Sequence, residues 1–463
     1  MKMKLAANLL LTLFVGTLTS LSLHAQSFTN LTGIWNGLSF DVPAQLQPQY
    51  DGSVVTNVAG HAAFGANTLQ VHVFTDGTFT NVETTGTIVI DGQGKLTVYP
   101  VGAPAISFRI NAAQDVFAGI AGNSSSDGPQ NELDLFIRSP DAFTTNDLTG
   151  TWRMNALDMP EELVQSLLST ANASAVSDLL GLDNQSVDNS PLSQGGGGFI
   201  TFNPDGTLSG MAGDAFTGTY ALATNGECDL SITPSNGPAF ALAAFINASK
   251  DTAVALHLDN PNNRQEIVVL TKPPTNAALA DLQGAWKITS FEVPDQVFLT
   301  RNASNLVTDV QASSNFNMDQ QAFTAGNDGF LTSIFDGGAN IGGLTVSTDG
   351  IVTVTFTNLL GEIQSHTAQL NAGKNCLTTV EDDGSQTHFV MVTKAPDFPS
   401  ASGQDFGLIL FGNKICWAAG TNRTLQSDSV LGGIWSDVPG TQGQHQFPIT
   451  ATNTANFYRV REP

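Results

Sequence analysis

Residues 31–46 read LTGIWNGLSFDVPAQL. Nearly the same phrase returns at 148 as LTGTWRMNALDMPEEL and at 282 as LQGAWKITSFEVPDQV. Leu31, Leu148 and Leu282 lead, and Gly33, Gly150 and Gly284 follow. Trp35, Trp152 and Trp286 stand two residues further on. An acid comes six residues after each Trp (Asp41, Asp158, Glu292), a proline eight after it (Pro43, Pro160, Pro294), and then Leu46, Leu163 or Val297. The chain has 5 tryptophans, and three fall here in one register. A segment has been duplicated, and the repeat decides the fold.

Two further signatures mark each unit. INAAQD at 110, INASKD at 246 and LNAGKN at 370 lie between apolar stretches and read as hairpin turns, with Asn supplying the positive φ. LFIRSP, VLTKPP and MVTKAP close the units at Pro140, Pro274 and Pro396. Each is an apolar strand, then Arg138, Lys272 or Lys394, then a proline that stops the ladder. Between these marks, period-two runs are cut by Asp-Gly and Asn-Gly turns, as in VHVFTDGTFT at 71, FITFNPDGTLSG at 199 and LTVSTDGIVTVTF at 344. The count is about seven or eight strands per unit.

The units are therefore 28–147, 148–281 and 282–400. The fold class is all-β: three tandem antiparallel meander barrels. Closing each meander removes its two exposed edges and brings the first strand against the last. Each Trp then lies beside the basic residue that closes its unit. The cation either stacks on the indole or pairs with the aligned acid.

Gly-x-Trp on the first strand, the eight-strand meander and the late basic residue resemble the lipocalin-like (calycin) barrels over residues 28–400. A second signature such as Thr-Asp-Tyr is absent, and the acid-x-Pro is foreign to that pattern. The resemblance implies a structural Trp at the closed end of each barrel. Residues 401–463, with KICW, RTLQSDSVLGGIWSDV and NFYRVR, resemble the C-terminal module common on secreted proteins of Planctomycetes and Verrucomicrobia. That resemblance implies a small β-sandwich-like module on an exported bacterial protein. Gly433–Trp435 does not begin a fourth unit, because Pro439 follows four residues after Trp435 rather than eight.

Residues 1–25 read as a signal peptide, with Lys2 and Lys4 before an apolar run and a cut near Ala25–Gln26. The expected location is secreted, periplasmic or cell surface, with no transmembrane segment after cleavage. In the second unit, PEELVQSLLSTANASAVSDLLGL at 160–182 reads as an amphipathic helix. It packs against its own barrel or lies as a lid over a mouth.

The net charge is −24, and only 13% of residues are charged. Nucleic acid and anionic membrane are poor partners for such a chain. Cys228, Cys376 and Cys416 form no disulfide framework; buried thiols or one bridge between units are the two readings.

No linear motif carries chemistry. His61, His72, His257, His366, His388 and His445 never pair at metal spacing, and no G-x-S-x-G elbow occurs. No catalytic, ligand-binding or metal-binding residue is nominated, and no cofactor is implied. The aligned acids Asp41, Asp158 and Glu292 read first as caps of the turn before each proline, and second as contacts to a sugar or calcium. Three functions stay open. One is an exported non-catalytic binding protein holding a small apolar or amphiphilic molecule in its barrels. Another is a cell-surface structural or adhesive protein touching glycan or matrix. The last is an enzyme with a loop-built site. Neither ligand nor oligomeric state can be read from the chain.

Overall fold

The computed structural model describes residues 31–160 and 192–396, apart from 83, 91–93, 103–104, 126–127, 260–263, 305, 327, 334–339 and 358–362. Beyond these it describes short strands within 409–461. The signal segment and all of the helix at 160–182 except Pro160 lie outside the described residues.

Each unit closes into an eight-stranded antiparallel barrel. The barrels run from Gly33–Pro43 to Gly128–Arg138, from Gly150–Pro160 to Arg264–Thr271, and from Gly284–Pro294 to Gln386–Lys394. In each, the first strand pairs with the last, as the edge argument demands. The meander is interrupted in the first and third units. There an extra hairpin, Gln47–Asp51 with Val54–Ala59 or Val297–Arg301 with Val307–Ala312, stands between the first and second barrel strands. The tail forms two three-stranded sheets.

One end of each barrel is closed around its tryptophan. Trp35, Trp152 and Trp286 are fully buried, and each indole N–H donates to the carbonyl of the leading leucine, Leu31, Leu148 or Leu282, at 2.7–2.8 Å. Lys272 sits 5.6 Å from the Trp152 ring centre and Lys394 5.8 Å from that of Trp286. Their ammonium groups donate to the carbonyls of Asp147 and Asp281. Arg138 lies directly across from Trp35 in the ladder. The cations therefore belong to the tryptophans, not to the aligned acids.

Strand alternation sends odd and even residues to opposite faces. In the first strand, Trp35 goes inward, whereas Leu38, Phe40 and Val42 go outward and are still fully buried. The outward residues of all three units meet in one apolar core that includes Leu133, Leu135, Leu157, Met159, Ile267, Phe291, Val293, Phe389 and Met391. The barrels are thus packed on each other through their first and last strands. Such strands are buried on both faces, which is why EIVVLT and HFVMVT read as nearly unbroken apolar runs, whereas ELDLFIR keeps acids at inward positions.

The Asn turns meet beneath this core. In each, the Asn side-chain oxygen accepts from the backbone N–H groups four and five residues on, as with Asn111 from Asp115 and Val116. The positive φ falls on Gln114, Lys250 and Lys374, not on the asparagines. The asparagines also serve the neighbouring unit. Asn247 and the Ser249 N–H donate to Asp115 at 3.1 and 2.8 Å. Asn111 donates to Asn375 at 2.9 Å, and the Gly373 N–H to Asp251 at 2.7 Å. Unit two binds one, one binds three, and three binds two, which closes a buried ring.

The closing prolines form a second cycle. A Cβ added at Gly226 would lie 2.6 Å from Pro140 Cδ. The same holds at 2.5 Å for Gly350 with Pro274 and for Gly94 with Pro396. Each proline ends one unit and rests on a hairpin glycine of the next. Gly226 also has φ of 84°. Gly226→Ala is therefore expected to lower stability by about 1–3 kcal/mol, through left-handed strain and a clash with Pro140. Urea unfolding followed by tryptophan fluorescence checks it.

Cys228 and Cys376 are free and buried, the first inside the second barrel and the second in the shared core. Burial pushes the Cys228 thiol up to about 12 and raises that of Cys376 as well.

Candidate functional site

The barrel interior changes character along its axis. The Trp end of the first barrel is solid: Trp35, Phe117, Phe136 and Phe108 contact ring to ring. Gly37 makes room for them, since a Cβ there would lie 2.4 Å from the Phe136 ring. The opposite end carries the aligned acids. Asp41, Asp158 and Glu292 share the inward face of their strands with the tryptophans, six residues along. They do not cap a turn, because each lies inside its strand, two residues before the proline that ends it.

Each acid meets an ionisable partner on the last strand. Asp41 lies across from Glu132, Asp158 from Glu266, and Glu292 from His388. In the first barrel Glu132 accepts from Ser39 at 2.7 Å, and Asp134 lies buried one inward step deeper. Burial, then the charge of Glu132, raises the Asp41 carboxyl to about 7. Burial and Glu132 also hold Asp134 well above the ordinary carboxylate range.

In the second barrel Arg264, one inward step nearer the mouth, chelates Asp158 through Nε at 2.9 and 2.8 Å. Burial outweighs this cation and leaves Asp158 at about 6. His257 lies 3.5 Å from Glu266 and stacks on Phe240 with ring centres 4.5 Å apart. The wall beside them is made of small residues: Ala156, Gly196, Ala253 and Ala255.

In the third barrel His388 lies 3.5 Å from Glu292 and 3.2 Å from Asp383. The hydrogen bond with Glu292 is the main cause that raises the His388 imidazole, and it lowers the Glu292 carboxyl in turn. His366 contacts Glu381 on the neighbouring strand.

The structure thus joins His257, His366 and His388 to acids across strands, which linear spacing does not show. The signal was available only as register: His257 and Glu266 are direct ladder partners, nine residues apart. His72 lies on Gly65–Val73, opposite Ile34 and away from the interior. The turn NPDGT at 203 is a hairpin turn, with Asp205 accepting from the Thr207 N–H at 3.0 Å. Among the described residues no group of three His, Cys, Asp or Glu is arranged to hold a metal ion, and no helix is long and apolar enough to cross a membrane.

No protein-family model matches the chain, and no curated protein matches it. Solved structures do. A double mutant of transferrin binding protein B from Haemophilus parasuis is 10% identical over 78% of this chain and 75% of that chain, with a TM-score of 0.23. A protein of unknown function from Nostoc punctiforme, in the DUF3598 family, is 10% identical over 53% of this chain and 96% of its own, at 0.19. Transferrin binding protein B of Neisseria meningitidis is 11% identical over 78% and 76%, at 0.17. Scores of this size carry no functional argument, and the reading of function rests on the chain's own side chains.

Proposed function

We propose that the chain is an exported, non-catalytic binding protein whose ligands enter the barrels at the acid ends. One observation carries this. Residues that build the fold repeat in all three units: the leading Leu, Gly-x-Trp, the Asn turn, and the closing basic residue and proline. The set that faces this acid differs from barrel to barrel, although Glu recurs in the first two: Glu132 beside Gln130, Glu266 beside Arg264, and His388 beside Gln386. A scaffold held constant under three different linings is what three separate specificities require, whereas spacers need no such divergence.

An ionisable ring above an apolar floor suits amphiphilic molecules better than purely apolar ones. The ligand's polar end meets the acid level and its apolar end the floor. In this reading 28–147, 148–281 and 282–400 are the binding modules, and 401–463 is a separate C-terminal β module. Native mass spectrometry of the protein purified from its source is expected to show one or more small-molecule adducts that are lost on unfolding. A spectrum with only the bare chain, from protein never exposed to denaturant, argues against the reading.

A further inference from the structure

We propose that the mouth of the first barrel is a site for a small organic cation, a protonated amine held between Asp134 and Asp41. The proposal rests on the reading of the barrels as binding modules and names the ligand class for one of them.

The internal comparison carries the argument. At the acid level of the second barrel the chain supplies its own cation, Arg264, chelating Asp158. In the third barrel His388 stands against Glu292. At the same level of the first barrel the residue across from the acid is Glu132, and Gln130 occupies the register position of Arg264. One inward step deeper, where the other barrels place Val268 and Val390, the first places Asp134. Three carboxyl groups therefore lie on two successive inward levels, with no basic side chain of the first or last strand among them. Arg138, the basic residue on the closing strand, sits across from Trp35 at the far end.

The buried group points the same way. Asp134 is only 3% exposed, and its Oδ1, like Oδ1 of Asp41, has no hydrogen-bond partner among the described residues. Orphaned acceptors at such depth are costly and are matched by a donor. The mouth is open to water, since Asn67, across from Ser39 on the neighbouring strand, is exposed. An ammonium has several N–H donors and a positive charge, and so answers both deficits at once. A metal ion is disfavoured because these carboxylates are not arranged as a ligand set.

Binding of a cation also requires Asp41 to ionise. The titratable groups facing Asp41 are Glu132 and Asp134; Gly65, on the other neighbouring strand, brings no charge. With Asp41 near 7, affinity should rise about tenfold between about pH 6 and about pH 8, with release of a proton.

The test is calorimetry of the full chain against 2-phenylethylamine, cyclohexylamine and cadaverine, with calcium chloride as the competing cation. Saturable binding of at least one amine, strengthened at the higher pH, is expected. Asp134→Asn should weaken it at least tenfold. Gln130→Arg, which copies the second barrel's cation into the first, should abolish it while leaving the protein folded. The proposal is overturned if no amine binds, if calcium binds in their place, or if both variants bind as the parent does. A natural adduct in the mass spectrum without amine binding would sink this proposal alone; absence of both would sink the broader reading too.

Discussion

Asp115→Ala is expected to destabilise the whole three-barrel body by roughly 3–5 kcal/mol, although the residue lies in a hairpin turn. Its carboxylate is fully buried and accepts from Asn111 of its own turn and from Asn247 and Ser249 of the next unit. Removing it strands three donors where water cannot replace the acceptor, and each stranded donor costs about 1–3 kcal/mol. Asp115→Asn should cost less. It keeps one acceptor oxygen but turns an N–H₂ toward the others, and the third unit already carries Asn375 at this place. Urea titration of both variants checks the order. A loss below about 1 kcal/mol for Asp115→Ala would mean that the ring contributes nothing to holding the units together.

Phe291→Ala is the second large effect, at about 3–5 kcal/mol. Phe291 faces outward from its own barrel, so in a string of independent barrels it would be a surface residue worth within about 0.5 kcal/mol. Here it is fully buried, 6.4 Å ring to ring from Phe40 of the first unit, inside the shared core. Truncation leaves a cavity that two rigid sheets cannot close. The double variant with Phe40→Ala should lose less than the sum of the single losses, because both remove the same contact. Additive or surface-like values would show that the barrels do not depend on one another.

The barrels were legible because their marks are local. The Gly-x-Trp and the turn dipeptides lie within a few residues of what they shape, and the closing Arg or Lys stands out because it recurs at one place in every unit. The asparagines were legible only in part. Asn111 and Asn375 stand 264 residues apart in the chain and touch only once three units have packed, so a local reading finds their place in the turn but not the bond to the neighbouring unit. The acids misled for a related reason. A proline two residues on suggests a turn at the acid, yet the acid lies inside the ladder and the strand ends only at the proline itself, where the missing N–H is not needed. The nearly unbroken apolar stretch of the second and third closing strands did announce a face buried outside the barrel, and could have been read as a contact between units.

The proline-on-glycine contacts treat the three units alike: the first rests on the second, the second on the third, and the third on the first. Where the polypeptide begins is therefore arbitrary. A circularly permuted gene starting at the second unit, with the first fused behind the third through a connector like the one between Arg138 and Gly150, would encode the same closed triangle.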